Sequence, residues 1–193
     1  VKNVVRYLLY YADVNRYPKS DMLLGYHSLY TKDLKGDIPL LTLYESKEDY
    51  FTDKGKERRG ECYIDKKSSG KVPHIHQEGS YRLGGQEDDA SLLQIFNNHK
   101  RFYSYDNETY LNTIAVLCGC ESVIVPDPDK KREDVIDRQP AMRYGVAWGV
   151  EEIELANTTK HNIREGFQEI REESKKQLLD FVRITKERFL KYE

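Results

Sequence analysis

Polar side chains cluster where a predicted strand gives way to a predicted helix, in "YSYDNETYL". Asp106 and Asn107 end the strand "RFYSYD", and Thr109 falls in the first turn of the helix. In a parallel sheet such junctions lie at the carboxyl edge, where unpaired amides and the helix dipole favour phosphate. The segment therefore predicts a diphosphate site at these residues. Simple N-capping by Asp106 or Asn107, with no ligand, is the alternative.

Two lysines, Lys66 and Lys67, end another predicted strand, "GECYIDKK", and are followed by "SSG". A lysine that faces the turn after Asp106 could neutralise a diphosphate. The alternative is ordinary solvated loop charge. Among the basic residues of this segment, we single out these two lysines and Arg59 as candidates.

Metal and nucleophile motifs are weak in this sequence. His74 and His76 would point the same way on a short strand, but apart from nearby Glu78 the sequence places no third ligand, so we predict no metal site. Neither G-x-S-x-G nor a P-loop occurs, and the catalytic residue stays unknown. Cys118 and Cys120 are too closely spaced for a usual zinc site and are expected to be buried apolar residues in a reducing compartment.

The charge balance excludes a broad nucleic-acid footprint, since 31 basic residues oppose 33 acidic ones for a net charge of −2. No apolar run approaches the roughly 18 residues needed to span a bilayer. The expected location is the cytoplasm, without a transmembrane segment or a nucleic-acid partner. The chain starts in mid-pattern without Met, as expected of part of a longer protein.

Alternating strands and helices must position these residues. From Gln86 onward the pattern predicts a helix, the strand "RFYSYD", a helix from about Glu108 to Gly119, the buried strand "ESVIVPD", and a helix after Gly149. The tail repeats apolar residues every three or four positions and predicts one long amphipathic helix. This order predicts an α/β fold with a parallel sheet. "RYGVAWG" reads as a tight loop that could close over a base or sugar.

At this point "FYSYDNETYLNTIAVLCGCESVIVPD", followed by "RYGVAWGVEEIELA", resembles a known family. The segments are similar to the carboxyl-terminal, donor-binding half of bacterial GT-B glycosyltransferases of the surface-polysaccharide type. That pattern has a strand, "YD-x-x-T-x-L", a helix ending "A-x-L-C-G-C", a strand ending in Pro, and "YG-x-A-[YW]-G". Upstream, Arg59, Tyr63 and Lys67 fit loosely. The resemblance covers roughly residues 1–8 and 58–158.

The resemblance implies a Rossmann-like domain that binds a nucleotide-sugar donor without a cofactor or bound metal. Carried over by position, the diphosphate would contact Asp106, Asn107, Thr109 and one or both of Lys66 and Lys67. The wall of the donor pocket would be formed by Tyr105, Glu108 and Tyr144. The acceptor would be a glycan or a lipid-linked glycan, and the catalytic base would come from the acceptor-side half of the same enzyme.

The expected organisation has three parts: residues 1–57 as a front portion from the acceptor side, residues 58–160 as the nucleotide-sugar domain, and residues 161–193 as a terminal helix packing on it. Peripheral association with the inner face of the membrane fits a lipid-linked acceptor. Ile114 stands where related sequences carry an acid, which favours a non-catalytic module as the alternative function. A regulator of response-regulator type would need paired acids at the end of the first strand, where Asp65 stands alone.

Overall fold

A computed structural model describes residues 3–43, 47–68 and 70–190, with the Leu29 side chain left out of the description. The chain divides into two compact units. One combines Val1–Glu45 with Ile170–Glu193, and the other is Ser46–Glu169. The first unit is therefore built from both ends of the sequence, and the second is continuous.

The discontinuous unit contains a two-stranded parallel sheet. Strand β1 (Val5–Leu8) pairs with β2 (Met22–Gly25), and the short helix α1 (Ser28–Thr31) follows. Residues 170–189 of a long carboxyl-terminal helix complete the unit. This helix is tied to the amino-terminal segment where Thr42 N–H donates to Gln177 Oε1 at 2.7 Å. Ser174 Oγ also donates to the Thr42 carbonyl at 2.7 Å.

The continuous unit is built on a five-stranded parallel sheet. Its strands lie in the spatial order β4-β3-β5-β6-β7, and every neighbouring pair is parallel. In chain order the strands are β3 (Glu61–Ile64), β4 (Tyr81–Arg82), β5 (Arg101–Ser104), β6 (Glu121–Ile124) and β7 (Val146–Trp148). The edge strand β4 has only two residues, and both pair with β3.

Two helices each precede a strand, and two further helices follow β7. They are α2 (Asp89–Asn98), α3 (Leu111–Leu117), α4 (Ile153–Thr159) and α5 (Ile163–Phe189). Asp88 caps α2 by accepting from Ser91 N–H at 2.7 Å, as the acidic start of this segment predicts. Gly119, with φ of +81°, follows the end of α3 in the left-handed conformation that favours glycine. Between β6 and β7 the chain forms a π-helical turn, Glu133–Asp137, and a 3₁₀ turn, Pro140–Arg143.

The two faces of the sheet are covered by different elements. On one face, the Phe96 ring of α2 meets Phe102 with centroids 5.1 Å apart, and Ser122 Oγ lies 3.2 Å from Asn112 Oδ1 of α3. The opposite face carries the paired row Tyr63, Tyr103, Val123 and Ala147. Ile153 and Ala156 of α4, together with Val72, pack against it. The predicted α/β class, with a parallel sheet flanked by helices and a long terminal helix, is confirmed.

Within the residues that the structure describes, no helix is long and apolar enough to cross a membrane. The longest helix, α5, has 27 residues, and charged residues separate its apolar positions, which recur every three or four residues.

Candidate functional site

The carboxyl edge of the sheet contains a topological switch point between β3 and β5. These strands are neighbours in space although β4 lies between them in sequence, so the chain leaves β3 toward one edge and β5 toward the other. Open α/β sheets bind ligands in the crevice that such a reversal creates. Residues 65–68 enter the crevice from β3, and residues 105–110 enter it from β5.

Asp106 holds the two sides of this crevice together. Its Oδ1 accepts a hydrogen bond from the backbone N–H of Lys67 at 2.6 Å. The side chain is buried, and burial raises the carboxyl pKa, while the Lys67 amide and the Lys67 charge oppose that shift. Asp106 therefore acts on the lysine-bearing loop through the backbone of that loop.

Asn107 connects the loop after β5 to the loop after β6. Its Nδ2 donates to the Val125 carbonyl at 2.8 Å, and its Oδ1 accepts from Asp127 N–H at 3.0 Å. The side chain is buried. Both ends of this amide are used within the protein, so Asn107 shapes the rim of the crevice through its side chain and can offer a ligand only its backbone.

Thr109 lies two residues before helix α3, which begins at Leu111, later in the chain than the sequence pattern predicts. Thr109 N–H donates to the Asp106 carbonyl at 3.1 Å, and Thr109 Oγ1 accepts from Leu111 N–H at 3.4 Å. The N-cap residue of α3 is Tyr110, which makes no side-chain cap hydrogen bond, so Asp106 and Asn107 do not cap this helix. Within the described part of the chain, the backbone N–H groups of Asn107, Glu108 and Tyr110 take part in no hydrogen bond.

Glu108 is exposed beside these amides and pairs with Lys130 Nζ at 2.5 Å. This ion pair links the turn after β5 to the loop after β6. The Lys130 ammonium group partly neutralises the Glu108 carboxylate, which reduces the repulsion that an incoming anion would meet.

Lys66 and Lys67 are both exposed on the β3 side of the crevice. The stem of Lys66 lies close to Gly85 of the loop before α2. The Lys67 charge is near enough to Asp106 to favour the ionised carboxylate. Among the ion pairs of residues 47–68 and 70–190 neither lysine takes part, whereas the preceding Asp65 pairs with Arg82 at 2.8 Å.

Tyr105 lies under a segment that we call the strap, residues 70–80. Its hydroxyl accepts from Ile75 N–H at 2.8 Å and lies 2.9 Å from His76 Nδ1. The phenol oxygen can accept from Nδ1–H or donate to an unprotonated Nδ1, and either arrangement links Tyr105 to His76. Tyr105 therefore anchors the strap to the sheet face.

The imidazole of His76 completes the anchor. It stacks on the Tyr63 ring with centroids 3.7 Å apart and planes inclined by 15°. Burial lowers the pKa of His76, and the adjacent His74 lowers it further. The neutral imidazole is thus the form that the stacked position favours.

The histidines of the strap do not form a ligand cluster with their neighbours. His74 Nε2 lies 3.7 Å from Asp65 Oδ2, and that carboxylate is already engaged by Arg82. Among the described residues, no group of three or more His, Cys, Asp or Glu side chains is placed to hold a metal ion.

Tyr144 lies away from the other candidates. It lies two residues before β7, at the amino edge of the parallel sheet, whereas Asp106 follows the carboxyl end of β5. "RYGVAWG" contains the strand Val146–Trp148 and is therefore not a single loop. The aromatic residue that this segment brings to the carboxyl edge is Trp148.

Trp148 is part of a polar arrangement that the sequence pattern did not indicate. Its backbone N–H donates to Glu152 Oε2 at 3.1 Å, and Arg132 Nε donates to Glu152 Oε1 at 3.2 Å. Gly149 N–H, next along the chain, donates to the Ile124 carbonyl at 2.9 Å. The short apolar run "VAW" between two glycines was the available signal that this segment is a strand.

The three cysteines, Cys62, Cys118 and Cys120, are buried and unpaired by disulfides. Burial raises the pKa of Cys118 to about 12, which leaves almost no thiolate near neutral pH. Such a thiol is a packing residue and a poor nucleophile.

The residues around the switch point combine two exposed lysines with the backbone N–H groups of two exposed residues, Glu108 and Tyr110. This arrangement suits an anion with several oxygens, because each donor can reach a different oxygen. Asp106 and Asn107 position the donors, and Thr109 holds the start of α3. No protein-family model, curated protein or solved structure matches the chain.

Proposed function

We propose that this chain is the donor-binding portion of a GT-B glycosyltransferase, which transfers a sugar from a nucleotide-sugar to a glycan or lipid-linked acceptor in surface-polysaccharide assembly. The diphosphate of the donor lies in the crevice between β3 and β5. The observation that carries the proposal is that the loop bearing Lys66 and Lys67 and the turn after Tyr105 lie at one switch point, joined by the hydrogen bond from Lys67 N–H to Asp106 Oδ1. The motif resemblance of residues 103–126 supports it.

In this proposal the chain stabilises the leaving group. Glycosyl transfer breaks the bond between the sugar and the diphosphate, and negative charge grows on the departing phosphate oxygen. A fixed ammonium group and backbone N–H groups stabilise that charge without rearranging during the reaction. Asp106 contributes by fixing the Lys67 backbone. The acceptor and the catalytic base belong to the acceptor-side half.

Titration calorimetry with UDP, GDP, CDP and dTDP tests the proposal. We expect one of these nucleotides to bind, and the double substitution Lys66→Gln with Lys67→Gln to weaken its binding by about tenfold or more, because charge-assisted contacts are lost. Lys100→Gln is the matched control, since Lys100 is exposed and directly precedes β5 at the opposite edge of the sheet. Heat from none of the four nucleotides, or an equal loss in the control, would contradict the proposal.

A non-catalytic nucleotide-binding module is the second candidate, and Ile114 favours it. Related sequences carry an acid at this position, but here the side chain is 5% exposed within α3. If that acid normally grips the donor, this chain could bind a nucleotide without turning it over. Slow nucleotide-sugar hydrolysis by the chain joined to its acceptor-side half would favour the enzyme, and tight binding without hydrolysis would favour the module.

A further inference from the structure

Helix α5 presents apolar side chains to solvent along one side of its carboxyl-terminal half. Leu178 is 46% exposed, Leu179 72% and Val182 41%, and Leu190, just after the helix, is 59% exposed. At 3.6 residues per turn these positions share one side with Lys175 and Lys186. We call this set the outer face: Lys175, Leu178, Leu179, Val182, Lys186 and Leu190.

The opposite side of the same helix is already used by the discontinuous unit. Ser174 and Gln177 hydrogen-bond to the backbone of Thr42, and Arg188 Nη2 donates to the Ser20 carbonyl at 3.0 Å. Contacts within the unit therefore explain the residues on this side of α5. They do not explain why four apolar residues on the outer face are exposed. Among the described residues of this unit, they are not part of its buried core.

The charge around the outer face is positive. Residues 175–190 contain five basic and two acidic residues. Lys176 and Arg183 flank the outer face, while Asp180 and Glu187 lie farther round the helix and pair with Arg183 at 3.1 and 3.5 Å. Lys175 also pairs with Glu172 at 2.8 Å, but its side chain remains 68% exposed. Lysines and leucines on one side of a helix suit a surface in which anionic groups cover an apolar layer.

We propose that the outer face of α5 binds in the plane of a bilayer that contains anionic lipids. The leucines and Val182 enter the boundary between head groups and acyl chains, and the lysine stems extend so that their ammonium groups meet lipid phosphates. A two-fold contact between copies of this chain would place Lys175 and Lys186 against the same lysines, which is unfavourable. The inference does not depend on the proposed function, because it uses none of the crevice residues.

Vesicle co-sedimentation of the full chain tests this inference. We expect binding to phosphatidylglycerol–phosphatidylcholine vesicles, weaker binding at high salt, and little binding to pure phosphatidylcholine. Substituting Leu178, Leu179 and Val182 together by Gln, which keeps helix propensity, should reduce the partition coefficient at least about tenfold. Lys175→Gln with Lys186→Gln should also reduce it by about tenfold or more.

Lys32→Gln with Lys35→Gln is the matched control, because it removes two exposed charges from the same unit outside α5. The control should bind as the parent does, and circular dichroism melts should show every variant folded. Three results would overturn the inference. They are absence of binding to anionic vesicles, equal loss in the control, and a concentration-dependent dimer that is lost in the Leu178/Leu179/Val182 variant while no vesicle binding occurs.

Discussion

At the scale of single residues, Asn107 joins the loops that follow two adjacent strands. Replacing Asn107 by Ala removes both of its hydrogen bonds, to the Val125 carbonyl and from Asp127 N–H, at a buried position. We expect the free energy of unfolding to fall by about 1–3 kcal/mol, the usual cost of losing buried hydrogen bonds. Urea denaturation followed by circular dichroism measures the change.

The control for Asn107 is Asn15→Ala, because Asn15 also uses its side-chain amide but is exposed beside Asp13. Its loss should change the free energy of unfolding by less than about 0.5 kcal/mol. Equal stability of the Asn107→Ala variant and the parent would show that Asn107 does not hold the loops.

His76 should make stability depend on pH. Burial and the neighbouring His74 lower its pKa in the folded state, while Glu61 and Asp65 partly oppose them. The unfolded chain therefore binds a proton at a higher pH than the folded chain does. The stabilising contribution is present above the unfolded pKa, near 6.5, and is lost as the pH falls toward the lowered folded value. Melting temperatures between pH 7.5 and 5 should fall more steeply in the parent than in His76→Gln.

The glutamine amide can donate to or accept from the Tyr105 hydroxyl but does not titrate, so the slope of the pH profile, and not the absolute stability, tests the protonation of His76. His161→Gln serves as the comparison, since His161 is exposed and outside the strap. A parent and a His76→Gln variant with parallel pH profiles would contradict the expected titration.

The positions of the candidate site residues could be predicted from the sequence, but their hydrogen-bond partners could not. The sequence placed Asp106 and Thr109 after a strand, and the structure puts them at the switch point. It could not show that Asp106 accepts from Lys67 N–H or that Thr109 Oγ1 accepts from Leu111 N–H, because these partners are set by tertiary register and by where α3 begins. Whether these residues bind a donor stays a prediction.

At the scale of elements, Gly166 allows α5 to lie against the turn Pro140–Arg143. A Cβ at Gly166 would come within 2.5 Å of Ala141 Cα and 2.6 Å of the Pro140 carbonyl oxygen. Ala is the better helix former by about 1 kcal/mol, but the backbone atoms it would meet cannot move aside cheaply. We expect Gly166→Ala to destabilise the protein by about 1–3 kcal/mol in thermal or urea denaturation.

Gly84→Ala provides the comparison, because its Cβ would meet only the flexible end of Glu87, at 3.5 Å. It should leave stability nearly unchanged. A Gly166→Ala variant that is as stable as the parent, or more so, would mean that α5 and the turn are not in close contact.

Apolar patterning predicted most of the strands and helices around the site and missed the shortest strands. The repeat of apolar residues in the tail indicated α5, and "ESVIVPD" indicated β6. Strand β7 has only three residues between two glycines, so its apolar run is too brief to separate from a loop. The packing of the strap over Tyr63 and Tyr105 could not be predicted, because it depends on a ring contact and a hydrogen bond between segments far apart in sequence.

At the scale of the whole molecule, residues 46–169 form a unit that contains the five-stranded sheet and the switch point. We expect this fragment, produced alone, to unfold cooperatively and to bind the same nucleotide as the full chain, because the candidate site lies within it. Chemical denaturation and calorimetry measure both properties. A fragment of residues 46–145 lacks β7 and α4 and should fail to fold, since β6 and its covering helix lose their partners.

A cooperative 46–145 fragment, or a 46–169 fragment without cooperative unfolding, would contradict this division. The 46–169 fragment ends within α5, so the buried residues Ile163 and Phe167 lie near a frayed helix end. Its denaturation therefore also shows whether the fragment folds without the last part of α5.

The interrupted unit has a consequence for biosynthesis. Residues 3–43 leave the ribosome before the continuous unit does, yet the helical segment that they hydrogen-bond is translated after that unit. The intervening segment can acquire its native structure during elongation, whereas the β1–β2 pair waits, with its apolar side chains accessible to chaperones, until residues 170–189 of α5 have also emerged.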